Sequence, residues 1–401
     1  MHEIPKILHQ IWIGPKPAPR ILMDTWKRKN PDFEYIFWNE EEIEKRGIVF
    51  ECQEKIDMIN EINGKADIIR WELLWRFGGV FLDADSICIE PFDDYFMCKS
   101  AFASYENERV RPELVATGTM GFFPKHPLCR DIIDWIKSDE SSQLIRDFKA
   151  WFSVGPGVLT RFLQTGKYPD FSVFPSHVFL PVHFEGGDYV GHKKVYAHQY
   201  WGTNYQLYDS AYFSQKDILE LPPSLKCPER WVSLILFSSG ETPLSKIKEC
   251  LNSVKCQRGH FGIEVIWLDG RSDDDSDIRG LVDSFLASSR FTKMTYHRFL
   301  ERRGVEDCLS LGKMLSSGSF VFLMDANYVM TSDRFQKQME YLEGNPTVEK
   351  CGCHILNISE NTDISPLDVN TTLCFRKYND VVTKEDSVYM FPENLILWKK
   401  V

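Results

Sequence analysis

Ala66-Asp67-Ile68-Ile69-Arg70-Trp71-Glu72-Leu73-Leu74-Trp75-Arg76-Phe77-Gly78-Gly79-Val80-Phe81-Leu82-Asp83-Ala84-Asp85 is the stretch of this 401-residue chain whose reading decides the fold. Ala66, Ile69, Leu73 and Phe77 recur at i, i+3, i+7 and i+11, the apolar stripe of a helix. Asp67 and Arg70 lie three residues apart and neighbour each other on the opposite face. Gly78-Gly79 supplies the unrestricted backbone that ends a helix, and Val80–Leu82 reads as a short buried strand. Asp83 and Asp85 follow at the strand end, and period 2 places both carboxylates on one side. In α/β sheets that edge, outside the carboxyl ends of the strands, is where ligands bind. Two carboxylates so close repel unless a cation lies between them, and hard oxygen ligands select Mg²⁺ or Mn²⁺. Such an ion bridges to a diphosphate and stabilises it as a leaving group.

Working outward, strand-like runs alternate with helical ones on both sides of this stretch. Ile7–Ile13, Tyr35–Trp38 and Gly121–Phe123 read as strands; Glu40–Arg46 and Leu128–Lys137 read as helices. A Pro-rich joint, Leu219–Glu229, interrupts the series, which restarts at Trp231–Phe237. Strands at Glu264–Leu268, Lys293–Phe299 and Phe320–Met324 then alternate with helices at Leu244–Lys255, Ile278–Ser288 and Val305–Leu315. Alternation with apolar strands implies α/β units over parallel sheets. The expected organisation is a first domain over 1–218, a linker over 219–229 and a second domain over 230–401.

With 47 Lys+Arg against 58 Asp+Glu the chain carries a formal charge of −11, which disfavours a polyanion and excludes nucleic acid as the expected partner. No run approaches the 18 apolar residues of a membrane span, and the first residues lack the basic stretch of a signal peptide. Eleven cysteines without a C-x-x-C pair read as reduced thiols, so a cytoplasmic setting is expected. Cys351-Gly-Cys353 with His354 lacks zinc-spaced partners. His9 reads as structural.

Ile4–Gly14 (I-P-K-I-L-H-Q-I-W-I-G), Asn30–Trp38 and the Ala66–Asp85 stretch, with Val154-Gly-Pro-Gly-Val-Leu-Thr160 and His198-Gln-Tyr-Trp201, resemble the sugar-nucleotide region of glycosyltransferase family 32. That resemblance covers roughly residues 1–210. It implies a GT-A-type, Rossmann-like fold, a Mn²⁺ or Mg²⁺ ion, a nucleotide-sugar donor and retention of configuration. It further implies that Trp12 stacks on the nucleobase, favouring a UDP-sugar over a GDP-sugar, and that Asp67 and Arg70 hold the donor sugar. Asp83 would touch ribose or sugar and Asp85 would ligate the metal. His198, as a second ligand, and Trp201 would close over the diphosphate. The family usually has Ser before that Trp, where this chain has Tyr200.

From Trp231 onward the chain resembles family-2 glycosyltransferases, which implies two nucleotide-sugar-binding domains in tandem. Ser238, Glu241 and Asp269 would then surround the nucleotide. Asp325-Ala-Asn327 stands in the D-x-D place, where Asn offers a neutral oxygen. Thr372-Leu-Cys-Phe-Arg376 and Lys384-Glu-Asp386 resemble later family elements, with Asp325 on the metal and Asp386 the general base of an inverting transfer. The expected function is a metal-dependent glycosyltransferase acting on a glycan or other hydroxyl acceptor, bifunctional if the second domain works. The alternative is a carbohydrate-binding or scaffold protein built from degenerate transferase folds.

Overall fold

The computed structural model describes residues 3–209, 219–239, 242–270, 276–299, 305–348, 350–351 and 397–399. By its internal contacts the chain divides into two compact units: Met1–Tyr189 with Val195–Leu221, and Val190–Lys194 with Pro222–Val401. The division therefore falls inside the Pro-rich joint, after Leu221. It also gives a short strap of the first half to the second unit, which sequence periodicity did not reveal.

In unit 1, β1 (Ile7–Ile11), β2 (Glu34–Trp38) and β3 (Gly79–Leu82) run parallel, with β1 central. After β3 comes β4 (Ser86–Cys88), outside this sheet. Beyond β3 the sheet turns antiparallel through β5 (Ala101–Asn107), β6 (Arg111–Val115) and β7 (Thr119–Phe122). Strand β8 (Phe171–Phe174) pairs parallel to β5, and the order is β2-β1-β3-β7-β5-β6. The expectation of parallel pairing is corrected for this half of the sheet. The three residues between β5 and β6 leave room only for a hairpin, whereas a parallel return needs a crossover of a dozen or more residues. Strand β9 (Ala197–Gln199) pairs antiparallel with β4, bringing the end of the unit back onto the D-x-D turn.

The decisive helix spans Ile62–Phe77 and is buried around most of its circumference, not along one stripe. Ile68, Ile69, Trp71, Leu73 and Leu74 all lie in the core. Gly78 and Gly79 take φ of +65° and +91°, so the double glycine ends the helix as the sequence implied. His9 is structural: its Nδ1 accepts from Trp38 Nε1 at 3.0 Å and its Nε2 donates to Gly78 O at 2.8 Å. Those partners fix the neutral Nε2–H tautomer, and burial pushes its pKa down to about 4.

Unit 2 has four parallel strands, β10 (Trp231–Ser238), β11 (Gly262–Asp269), β12 (Thr292–Arg298) and β13 (Phe320–Asp325). Short β14 (Lys350–Cys351) and β15 (Leu397–Lys399) add antiparallel pairs, in the order β12-β11-β10-β13-β15-β14. Here the expected alternation with helices Leu244–Lys255, Ser276–Ala287 and Val305–Leu315 is seen. The Val190–Lys194 strap is held by His192 N to Lys255 O and by Arg290 N to His192 O, at 3.2 and 2.9 Å. No described helix is long and apolar enough to cross a membrane. The described cysteines are free thiols; Cys353 and His354 lie outside the described residues.

Candidate functional site

The carboxylates of unit 1 converge because three separate pieces of chain meet at the end of β3. The Ile62–Phe77 helix contributes Asp67 and Arg70, paired at 2.7 Å between Oδ1 and Nη2. Arg70 also donates to Thr117 O at 2.8 Å, approaches Asp83 Oδ1 at 3.4 Å and lies over the Phe81 ring at 4.1 Å. Its Nε is buried without a partner. Asp67 is only 5% exposed. Burial chiefly, and then the Asp83 and Glu61 charges, lift its pKa to about 7 against the opposing pull of Arg70.

The turn after β3 supplies Asp83 and Asp85. Asp83 is anchored through its backbone: its N–H donates to Gly118 O at 2.7 Å, and Gln10 Nε2 donates to its carbonyl at 3.2 Å. Its side chain stays partly open at 29% exposure. Asp85 is buried, and burial first and the Asp83 charge second raise it above the usual carboxylate range. It accepts from Gln199 Nε2 at 2.7 Å, from Gly202 N at 2.6 Å and from the Tyr208 hydroxyl. Gln199 Nε2 also lies 3.4 Å from Asp83 Oδ2, so one amide group is shared by both carboxylates.

Glycine makes room for this crowding. A Cβ on Gly155 would lie 2.7 Å from Asp67 Oδ2, and one on Gly118 would lie 2.7 Å from Asp83 Oδ2. At either position an added Cβ would force the carboxylate to shift. The Val154-Gly-Pro-Gly segment therefore serves the site through its first glycine.

The structure brings together Trp12, Asp67, Arg70, Asp83 and Asp85. Trp12 follows β1, half-buried, with its ring 5.0 Å from Tyr208 in an edge-on contact and its indole N–H on Lys16 O. Tyr208 thus links Trp12 to Asp85. His198 is not brought to the pair, which corrects its expected role as a ligand. Adjacent strand residues point to opposite faces, and on β9 the inward one is Gln199. His198 instead lies opposite Ile87 and packs on Tyr200 at 4.8 Å; burial pushes its pKa down to about 4. Trp201 sits beside the site, but its indole N–H is donated to Val182 O at 2.9 Å and is unavailable to a diphosphate in this arrangement. Its φ of +54° turns the chain so that Gly202 N reaches Asp85. Gln199, Gly202 and Tyr208 escaped the sequence reading; the parity of Ala197-His-Gln along a strand was the available signal for Gln199.

Asp83 and Asp85 suit a hard divalent cation. Two carboxylates share one amide donor, burial and then the Asp83 charge oppose ionisation of Asp85, and the donor set is all oxygen. Among the described residues no group of three or more His, Cys, Asp or Glu side chains stands ready to enclose an ion. A cation here would complete its shell with water and phosphate oxygens, the mode Mg²⁺ favours.

In unit 2, Ser238 and Asp269 pair in register at the ends of β10 and β11. Both are turned inward. Asp269 is fully buried and accepts from Ser238 Oγ at 2.7 Å and from Tyr296 OH at 2.8 Å, one on each oxygen. Trp267 Nε1 donates to Ser238 Oγ at 2.9 Å. Asp325 ends β13, and its Oδ1 accepts both the backbone N and the side-chain Nδ2 of Asn327, at 2.8 and 2.9 Å. Asn327 therefore neutralises Asp325 as a donor instead of adding an oxygen. Glu241, Asp386 and the Thr372–Arg376 element lie outside the described residues.

Residues 20–102 match the model of the glycosyltransferase sugar-binding region containing a DXD motif, and residues 235–400 match that of glycosyl transferase family 2. The two glycosyltransferase matches fall one in each half of the chain. The uncharacterized glycosyltransferase L373 of Acanthamoeba polyphaga mimivirus is 30% identical over 132 residues, 31% of this chain and 52% of that protein. Inositol phosphoceramide mannosyltransferase 2 of Schizosaccharomyces pombe is 28% identical over 163 residues, 38% of this chain and 44% of that protein. The chain thus spans about half the length of these relatives. Among solved structures, the PaToxG glycosyltransferase aligns over 41% of this chain and 71% of its own, at 16% identity and a TM-score of 0.35.

Proposed function

We propose that this chain is a metal-dependent glycosyltransferase whose unit 1 transfers a sugar, with retention, from a nucleotide-sugar donor to a hydroxyl acceptor. The observation that carries the reading is the convergence of Asp83 and Asp85, sharing a single amide donor, on the Asp67–Arg70 pair. A bound Mn²⁺ or Mg²⁺ supplies charge neutralisation for the departing diphosphate. Asp85 and Asp83 would hold the cation, and Gln199, Gly202 N and Tyr208 fix the Asp85 carboxylate in place. Arg70, fixed by Asp67 and Thr117 and stacked on Phe81, holds its positive charge beside Asp83 and the donor. Asp67 accepts a sugar hydroxyl. Trp12 carries the base, with Tyr208 edge-on beside it, and the donor proposed is a UDP-sugar.

For unit 2 the geometry favours a scaffold over a second, inverting catalyst. Asp269 is fully buried, and after Asp325 the D-x-D place holds Asn327 where unit 1 has its second carboxylate, Asp85. If unit 2 works nonetheless, removing Asp325 and Asp386 together abolishes one of two linkages in the product.

The test is a screen of UDP- and GDP-sugars for hydrolysis and transfer by the full chain, with Mn²⁺, with Mg²⁺ and with a chelator. Asp85→Ala is expected to abolish metal-dependent donor hydrolysis while the protein stays folded. Wild-type turnover in that variant, or turnover indifferent to the chelator, overturns the assignment.

A further inference from the structure

A ring of contacts surrounds the carboxylate cleft of unit 1, and it is aromatic. Gly155 marks one side: a Cβ placed there lies 2.7 Å from Asp67 Oδ2 and 3.3 Å from the backbone of Trp151. Trp151 is 44% exposed. The Arg111 guanidinium lies 5.4 Å from the centre of that ring and 5.2 Å from that of Phe184. Phe184 packs on Trp201 at 5.0 Å, and the residue after Trp201 donates its N–H to Asp85. Tyr205, 54% exposed, closes the circuit by donating its hydroxyl to Phe184 O at 3.3 Å. From Gly155, which lies beside Asp67 and the Trp151 backbone, neighbours run through Trp151, Arg111, Phe184 and Trp201 to Gly202, whose N–H meets Asp85, with Arg111 wedged between two of the rings.

The charge of this rim is the informative part. Arg111 is bound by Glu106 at 3.2 Å and Glu185 at 3.5 Å. His183 adds no positive charge: its Nδ1 accepts from Glu185 N at 3.2 Å, so its Nε2 carries the proton that it donates to Glu106 at 3.1 Å. Among the described residues named in this rim one cation faces two carboxylates, and Arg111 is engaged by both. The rim does offer polarised aromatic faces, which suit the C–H face of a sugar ring and exclude water around it.

We propose that Trp151 and Phe184, held apart by Arg111, form an acceptor subsite for an uncharged pyranose, so that unit 1 glycosylates a neutral sugar in preference to a phosphorylated or acidic one. The proposal rests on the reading of unit 1 as a transferase and specifies its second substrate. The acceptor ring lies on the indole while its hydroxyl points inward, toward the donor held at Asp67, Arg70, Asp83 and Asp85. That hydroxyl oxygen forms the new glycosidic bond, the bond from the sugar to the diphosphate breaks, and the hydroxyl proton leaves with the nucleoside diphosphate.

The experiment uses the full chain with Mn²⁺ and whichever donor is hydrolysed in the screen. The probes are methyl α-mannopyranoside, methyl β-glucopyranoside and methyl β-galactopyranoside, set against glucose 6-phosphate at equal concentration. At least one neutral glycoside is expected to stimulate nucleotide release and appear as a disaccharide by mass, while glucose 6-phosphate does neither. Trp151→Ala is expected to raise the acceptor KM about tenfold, and by more than it changes the donor KM; Trp151→Phe should fall between it and wild type. Saturation-transfer NMR of the same glycosides, without donor, should weaken in the same order. Unchanged acceptor KM in both variants, glucose 6-phosphate as the better acceptor, or no response to any neutral glycoside overturns the proposal. Absence of donor hydrolysis in the wild type would instead overturn the transferase reading, and this proposal with it.

Discussion

Replacing Asp67 by Asn separates what this buried carboxylate does for the fold from what it does for the site. Asp67 is raised from an ordinary 3.8 to about 7, chiefly by burial. The native state therefore holds its proton at pH values where the unfolded chain has released it. Below pH 3.8 both states are protonated and nothing is at stake. As pH rises from there through about 7 the folded state is progressively disfavoured, and above that the penalty is constant. Between pH 5 and 8 the change attributable to Asp67 amounts to about 2.5 kcal/mol. Asn removes this dependence while keeping the shape. It also weakens the 2.7 Å contact to Arg70; the pH-dependent part of that contact is already contained in the raised pKa, so what remains is a constant offset between the neutral acid and the amide. The variant should thus be less stable than wild type at pH 5, and the gap should close by about 2.5 kcal/mol by pH 8, or roughly 5–10 °C in Tm for a unit of this size. Thermal unfolding of both proteins, metal-free and with chelator present, at pH 5, 6, 7 and 8 measures it; comparing two chains cancels every other titrating group. Parallel curves, or a gap that widens with pH, would refute the reasoning and make the Asp67–Arg70 pair a net stabiliser. Confirmation would mean that the fold tolerates a destabilising carboxylate at the place where a donor sugar is to be held.

Gly155→Ala should raise the donor KM and lower Tm, because its methyl group would lie 2.7 Å from Asp67 Oδ2 and the carboxylate must move; an unchanged donor KM would show that Asp67 does not touch the donor. His9, with a folded pKa of about 4 against 6.5 unfolded, contributes stability that is full above pH 6.5 and lost as pH falls toward 4. Going from pH 7 to 5 should remove about 2 kcal/mol through this residue, and His9→Gln should flatten that limb of the pH–stability curve. A fragment ending at Leu221 should fold and keep a Mn²⁺- and nucleotide-sugar-dependent rise in Tm, since unit 1 has its own core; a molten fragment would show that the two units fold as one.

The Ala66–Asp85 stretch by itself determined a helix, a double-glycine stop, a strand and two carboxylates at its end, because each depends on local periodicity and backbone freedom. The alternation in unit 2 was equally legible, since parallel βα units repeat one local pattern. What the sequence could not determine is which distant groups meet those carboxylates. Gln199 reaches Asp85 across 114 residues, and whether Gln199 or His198 faces inward depends on the register of β9 against β4. A slip of one residue reverses every side chain; the parity of Ala197-His-Gln says that His198 and Gln199 face opposite ways, but only the pairing with β4 says which faces inward. In the same way Ser238 and Asp269 stand at the expected strand ends, yet only the packing of Tyr296 and Trp267 turned them inward. The antiparallel half of the unit 1 sheet and the Val190–Lys194 strap also escaped local reading. Local chemistry decides what a segment becomes, whereas long-range closure decides which of its side chains face a ligand.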